Sequence, residues 1–210
     1  VVGQEPAPAL AGQVMIYRDR FGVPHVHGRT DAAAAFGFGY AQAEDYFARL
    51  EDNFIRAIGR RAEVAGEAAL AEDRLNRTLE IPRLARQEYR RLAPALRRLV
   101  DGFVGGINYY LVKNPSVKPK LLTRMEPWYP LAFIRYNYYQ NGFAGVARGP
   151  GIRPVPADEL ANQGSNGWVV NPKRTVAGYP LLFINPHLPF FGPGQVYEGH
   201  VISDEGWNFT

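Results

Sequence analysis

The sequence predicts an α+β fold, helical through roughly its first two-thirds and strand-rich at its end, and three observations carry that expectation. Apolar side chains recur at steps of three and four in two long stretches before Asn114. A glycine- and proline-rich run from Gly149 to Pro156 then interrupts regular structure, because proline lacks an amide donor and glycine resists ordering. Beyond it, short apolar runs separated by Pro/Gly turns read as strands. The chain thus divides into a mostly helical region 1–143, a linker 144–164 and a strand-rich region 165–210.

Taken in order, Val1 to Gln13 reads as a loose Ala/Pro-rich lead-in, in keeping with a mature N-terminus after removal of a leader. Met15–Tyr17 and Val23–Val26 read as a hairpin around Asp19-Arg20-Phe21-Gly22, the glycine supplying the turn's backbone freedom. Asp31 is placed as the N-cap of the strongest helix, in which Phe36, Tyr40, Ala43, Phe47, Leu50 and Phe54 share one face. Glu67 to Leu92 is rich in helix formers, with Pro82 marking a break or a new start. Pro94 opens a further helix whose stripe is Leu96, Leu99, Phe103, Ile107 and Leu111, ending near Asn114-Pro115. In the aromatic segment Phe133–Phe143, Tyr136, Tyr139 and Phe143 fall on one helical face. Trp168–Val170, Leu181–Ile184 and Val196–Ile202 are the expected late strands, with Ala177-Gly178 as a turn between the first two.

Composition removes several function classes. The absence of cysteine excludes disulfides, thiolate metal sites and a cysteine nucleophile. With 24 basic against 20 acidic residues the net charge is only +4, so the pI near 9.4 overstates the basic surface. The pairs Arg60-Arg61 and Arg97-Arg98 lie within helical patterns, as solvated faces do, and nucleic acid is not the expected partner. No run is long and apolar enough for a membrane-crossing helix. At 46% hydrophobic and 13% aromatic, the chain has ample material for a packed core.

One serine stands in a suggestive setting: Gln163-Gly164-Ser165-Asn166-Gly167-Trp168 places it directly after the linker and directly before a strand. If the Gly164–Ser165 bond is cut, the new α-amine and the hydroxyl sit on one residue, so nucleophile and base arrive together. Glycine before the serine leaves the carbonyl open to attack by that hydroxyl. The same four residues from Gly164 also read as an ordinary turn. His25 and His27, two positions apart in a strand, share a face, but no nearby third ligand completes a metal site.

The stretch Tyr17-Arg18-Asp19-Arg20-Phe21-Gly22-Val23-Pro24-His25-Val26 with Asp31 to Asp45 resembles the opening of the penicillin acylase family. Ser165-Asn166-Gly167-Trp168-Val169-Val170, Asn185-Pro186-His187-Leu188 and Gly199 to Phe209 are similar to the start of that family's β-chain, in matching order and spacing. The resemblance implies a precursor that cuts itself between Gly164 and Ser165, giving a helical α-chain packed on part of an αββα N-terminal-nucleophile hydrolase sandwich. It implies an amidohydrolase acting on N-acyl compounds such as penicillins, cephalosporins, acyl-homoserine lactones and lipopeptides. Ser165 is then the nucleophile, and His187 matches a position filled by His or Gln that polarises the α-amine or holds substrate. Leu188, Tyr139 and Phe143 match regions lining the acyl pocket. No cofactor is implied beyond the calcium that some members bind, and no carboxylate of this sequence matches a ligand for it. A periplasmic or secreted enzyme is the expected setting. Because the family's β-chain continues for several hundred residues past the point matching Thr210, the remainder of the β-chain is an expected partner and supplies an oxyanion donor. Two other readings stand beside this one: a Ser-His-Asp hydrolase using Ser165, His187 and Asp204, which lacks the Gly-x-Ser-x-Gly elbow, and a non-catalytic helix-rich binding module.

Overall fold

A computed structural model describes residues 7–139, 164–187 and 195–210. It separates into two units, residues 1–150 with 197–210, and residues 151–196. The last segment of the chain therefore returns to the helical unit rather than staying with the strands that precede it.

The first unit begins with a short helix, α1 (Ala7–Ala11), where the sequence suggested a loose lead-in. Leu10 anchors it, buried with Ala33 and Phe36. The expected hairpin follows as β1 (Val14–Arg18) and β2 (Pro24–Gly28), antiparallel with Met15 opposite His27. Its turn places Gly22 at φ +83°, a conformation costly for a side chain, and the Asp19 carboxylate accepts from the amides of Phe21 and Val23.

The main helix, α2 (Asp31–Ala57), is capped one residue earlier than its sequence suggests. Thr30 is the extended residue before the first turn, and its hydroxyl accepts from Ala33 N at 3.0 Å. Asp31, already helical, instead accepts from the Ser203 hydroxyl, its charge favourably placed at the helix start. Phe36, Ala43, Phe47 and Phe54 are buried as the periodicity demands. Tyr46 leaves helical geometry (φ −144°, ψ 42°) and kinks the rod in its middle, a feature the unbroken apolar stripe does not reveal.

Against α2 packs α6 (Pro94–Lys113), through glycines rather than through the apolar stripe alone. A Cβ on Gly106 would lie 1.9 Å from the Phe36 carbonyl oxygen, and one on Gly39 would lie 2.1 Å from that of Phe103. The two backbones touch where each helix presents hydrogen in place of a side chain. Val104 and Ile107 are buried beside this seam, whereas Leu96, expected in the stripe, is 53% exposed because it lies in the first turn, before the two helices meet. Between the long helices run α3 (Ala62–Ala65), α4 (Leu70–Thr78) and α5 (Ile81–Arg91), with Pro82 in the first turn of α5 as a new start. Then α7 (Tyr129–Asn137) opens ahead of the aromatic segment and buries Tyr136.

Two acidic side chains are buried among the described residues, Asp73 and Glu51. Glu51 is 1% exposed, and its carboxylate accepts from the backbone amides of Lys120, Leu121 and Leu122 at 2.8–3.0 Å. It thereby satisfies donors of an irregular segment that no helix or strand could pair.

The first unit's sheet has the order β1-β2-β5-β6, with β5 (His200–Ser203) parallel to β2 and antiparallel to β6 (Asn208–Phe209). The expected strand over Val196–Ile202 is realised only from His200. Pro24, Val26 and Gly28 turn toward α2, and Gly28 sits so close to Ala33 and Ala34 that a Cβ there would collide with backbone. His25 and His27 lie on the other face. In the second unit β3 (Gly164–Val170) and β4 (Leu181–His187) form an antiparallel hairpin.

Two substitutions test this architecture. Gly106→Ala should destabilise the protein by about 1–3 kcal/mol through forced separation of α2 and α6, and denaturant unfolding with an unchanged midpoint would contradict the seam. Glu51→Gln keeps one acceptor oxygen but turns an amide toward Lys120 N, so a loss of about 1–3 kcal/mol is expected in the same assay.

Candidate active site at the Gly164–Ser165 junction

The hairpin of β3 and β4 forms because Trp168, Val169, Val170, Leu182, Phe183 and Ile184 are β-branched, aromatic or aliphatic residues between turn formers. Asn171 accepts from Lys173 N at 2.9 Å, and Gly178 takes φ +72°. The register sets Gly164 opposite His187, Ser165 opposite Pro186, and Asn166 opposite Asn185. The two ends of the hairpin's strands are thus the two motifs that the sequence singled out, brought side by side.

Alternation then decides which side chains meet. Asn166, Asn185 and His187 lie on one face with Gly164, and Ser165 points to the other. On the first face the side-chain amides of Asn166 and Asn185 approach His187 Nε2 at 3.0 and 3.2 Å. Amide NH2 groups are donors, so with the two amides oriented this way Nε2 stands as the acceptor. The imidazole is therefore oriented directly across the strand pair from the Gly164–Ser165 peptide. Asn166 and Asn185 are the site residues that side-chain chemistry alone did not nominate, although both stand inside the quoted motifs.

Of the remaining candidates, Tyr139 belongs to the first unit, partly buried just past the C-cap of α7 beside Tyr138 with ring centroids 6.0 Å apart. Leu188 and Phe143 lie outside the described residues. A Ser165, His187 and Asp204 relay would draw Ser165 and His187 from one unit and Asp204 from the other. His187 Nε2 is taken up by two amides, and Asp204 Oδ1 pairs with His27 Nε2 at 2.8 Å. His25 and His27 share a face as expected but go to different partners, His25 Nδ1 meeting His200 Nδ1 at 3.0 Å. Among the described residues no group of three or more His, Asp or Glu side chains is arranged to hold a metal.

The segment that follows the hairpin is bound into the first unit by polar contacts. Arg18 bridges Glu44 at 2.7 Å and Asp45 at 2.9 Å, and the Tyr197 hydroxyl donates to the same Asp45. Burial, and then the bond to Asp45, push the Tyr197 phenol above its ordinary pKa, so it remains a donor. Its ring stands among Phe38 and Tyr46, at 5.6 and 6.4 Å.

Residues 13–210 match the family model for penicillin amidase. A penicillin acylase 2 proenzyme from Pseudomonas sp. strain SE83 is 25% identical over 96% of this chain, the match taking in 34% of that protein. An acyl-homoserine lactone acylase from Pseudomonas aeruginosa is 33% identical over 91% of the chain and 29% of its own length. The chain thus spans about a third of these curated relatives. Among solved structures, a thermostable penicillin G acylase from Alcaligenes faecalis superposes with a TM-score of 0.56 at 21% identity, covering 71% of this chain and 80% of that one, a likeness of fold. From the family match over nearly its whole length, we conclude that the chain belongs to the penicillin amidase family.

Proposed function

We propose that this chain carries the self-cleaving junction and the nucleophile of an amidohydrolase that hydrolyses the amide of a small N-acyl compound. The observation that carries the reading is the pairing of Gly164 with His187, which sets an oriented imidazole across from the bond to be cut. In maturation the Ser165 hydroxyl attacks the Gly164 carbonyl carbon, the peptide C–N bond breaks to release the α-amine, and water hydrolyses the resulting ester. Extended backbone keeps Ser165 on the face opposite His187 before the cut. Once it is a chain terminus, loss of the preceding peptide frees it to turn.

In turnover, Ser165 Oγ attacks the substrate carbonyl and its proton passes to the α-amine, directly or through a water. The oxyanion is met by preorganised donors, the amine departs with the proton, and water releases the acid and restores the serine. His187 holds the α-amine or the substrate, itself fixed by Asn166 and Asn185. We assign residues 1–143 to the α-chain, 144–164 to the linker and 165–210 to the start of the β-chain. The apolar exposure of the hairpin, with Trp168, Leu182 and Ile184 each more than half exposed, favours a larger αββα sandwich in which those strands are covered. The names of the relatives point to penicillins and acyl-homoserine lactones as the substrate classes to test first.

Ser165→Ala in a full-length precursor should abolish both maturation, read by intact mass, and amide hydrolysis, since one hydroxyl begins each; a mutant that still matures at the wild-type rate refutes the assignment. His187→Gln should retain kcat/KM within about tenfold, because a Gln carbonyl can accept from Asn166 and Asn185 as Nε2 does, while His187→Ala should lose more than about a hundredfold. Equal damage from both substitutions would show that accepting those bonds is not what His187 contributes.

A further inference from the structure

Where α2, α4, α5 and the start of α7 converge, on the first unit, lies a cavity of about 410 Å³, within the range of small-ligand sites. Its floor is apolar and aromatic: Trp128 and Tyr129 are 8% and 7% exposed. Its wall carries Arg60, Arg77, Arg83 and Arg86 against a single carboxylate, Glu80.

The four guanidinium groups are not equivalent. Arg83 makes a bidentate pair with Glu80, and Arg60 another with Glu63, all at 2.6 Å. Arg77 spends its Nε on the Gly59 carbonyl at 2.9 Å and has no carboxylate within ion-pair distance among the described residues. Arg86 likewise lacks an acidic partner among the described residues and lies over the Trp128 ring, 4.2 Å from its centroid. This stacking leaves the edge of its guanidinium, where the N–H donors are, available for a ligand. The Tyr129 hydroxyl adds a further donor with no hydrogen-bond partner among the described residues. Burial, and then the Glu126 carboxylate, raise the Tyr129 pKa, with Arg60 and Arg86 acting against that rise, so the hydroxyl feels both Arg86 and an acidic neighbour.

We infer that this cavity binds a small oxyanion, held by the guanidinium groups of Arg77 and Arg86 and by the Tyr129 hydroxyl. Ordinary solvated arginines are spread over a helix face or matched by carboxylates. Here two cations without an ion-pair partner among the described residues line one cavity with a phenol over a buried aromatic floor, and cations that face one cavity lower their mutual repulsion by taking an anion between them. The chemistry recognised is that of phosphate or of a carboxylate, and the site stands apart from the amidase reading.

Calorimetric titration of the full chain at constant ionic strength distinguishes these sources, with inorganic phosphate in one arm and acetate in the other. Saturable binding of at least one of them, with Kd below about 1 mM, is expected. Arg86→Gln should weaken it at least about tenfold. Tyr129→Phe, which removes only the hydroxyl and so preserves the fold, should weaken it about threefold or more. Arg98→Gln, outside the cavity, should leave it unchanged. A lack of saturable binding in both arms, or binding that Arg86→Gln and Tyr129→Phe leave intact, overturns the inference.

Discussion

The parallel pairing of β2 with β5 is the constraint on which the rest of the first unit depends. It holds residues 200–203, which follow the candidate cleavage point by some distance, as direct neighbours of residues 25–28 near the start of the chain. Side chains reinforce the ladder on both sides of the join: His25 with His200, His27 with Asp204, and Ser203 with Asp31. The backbone amide of Asp31 also donates to Glu205, and that of Asp204 to the Gly28 carbonyl. A chain opened between Gly164 and Ser165 would therefore remain joined by a sheet ladder, an aromatic cluster around Tyr197 and the Arg18–Asp45–Tyr197 network.

The helices give that ladder a fixed floor. Val26 is fully buried under α2, and a Cβ at Gly37 would lie 2.6 Å from its methyl, so only a residue without one lets the helix settle this low on the sheet. In turn α2 is fixed by its backbone contact with α6 at Gly39 and Gly106. The small residues on α2 thus do two jobs at once, meeting the sheet on one side and a helix on the other. Glu51 completes the arrangement farther along by organising the segment around Lys120 to Leu122.

Much of this was legible in the sequence because it is written in local periodicity. The hairpin of β1 and β2, the buried face of α2, the proline starts of α5 and α6 and the strands flanking Gly178 all follow from spacing and turn chemistry. What the spacing could not supply was long-range or polar. The parallel partner of β2 lies about 175 positions away in sequence, as the contact between His25 and His200 measures, and no pattern near either announces it. Thr30 outcompeted Asp31 as the cap because both are good capping residues and only backbone geometry separates them. Glu51 reads as an ordinary helix surface residue, yet it follows Phe47 by four and precedes Phe54 by three, which is the one signal that it faces inward. At the candidate site, the motifs around Ser165 and His187 stand out in the sequence, whereas the placement of Asn166 and Asn185 beside His187 depends on a cross-strand register that neither residue encodes alone.

The hairpin turns these pieces into a chemical proposal by setting an oriented histidine opposite a glycine–serine bond at the head of a strand. The most direct test is the intact mass of the wild-type full-length precursor, purified without denaturant and followed through incubation and size exclusion. The account predicts two polypeptides, one ending at Gly164 and one beginning at Ser165, that elute together. A precursor that stays whole, a cut at any other bond, or two products that separate under native conditions would contradict it.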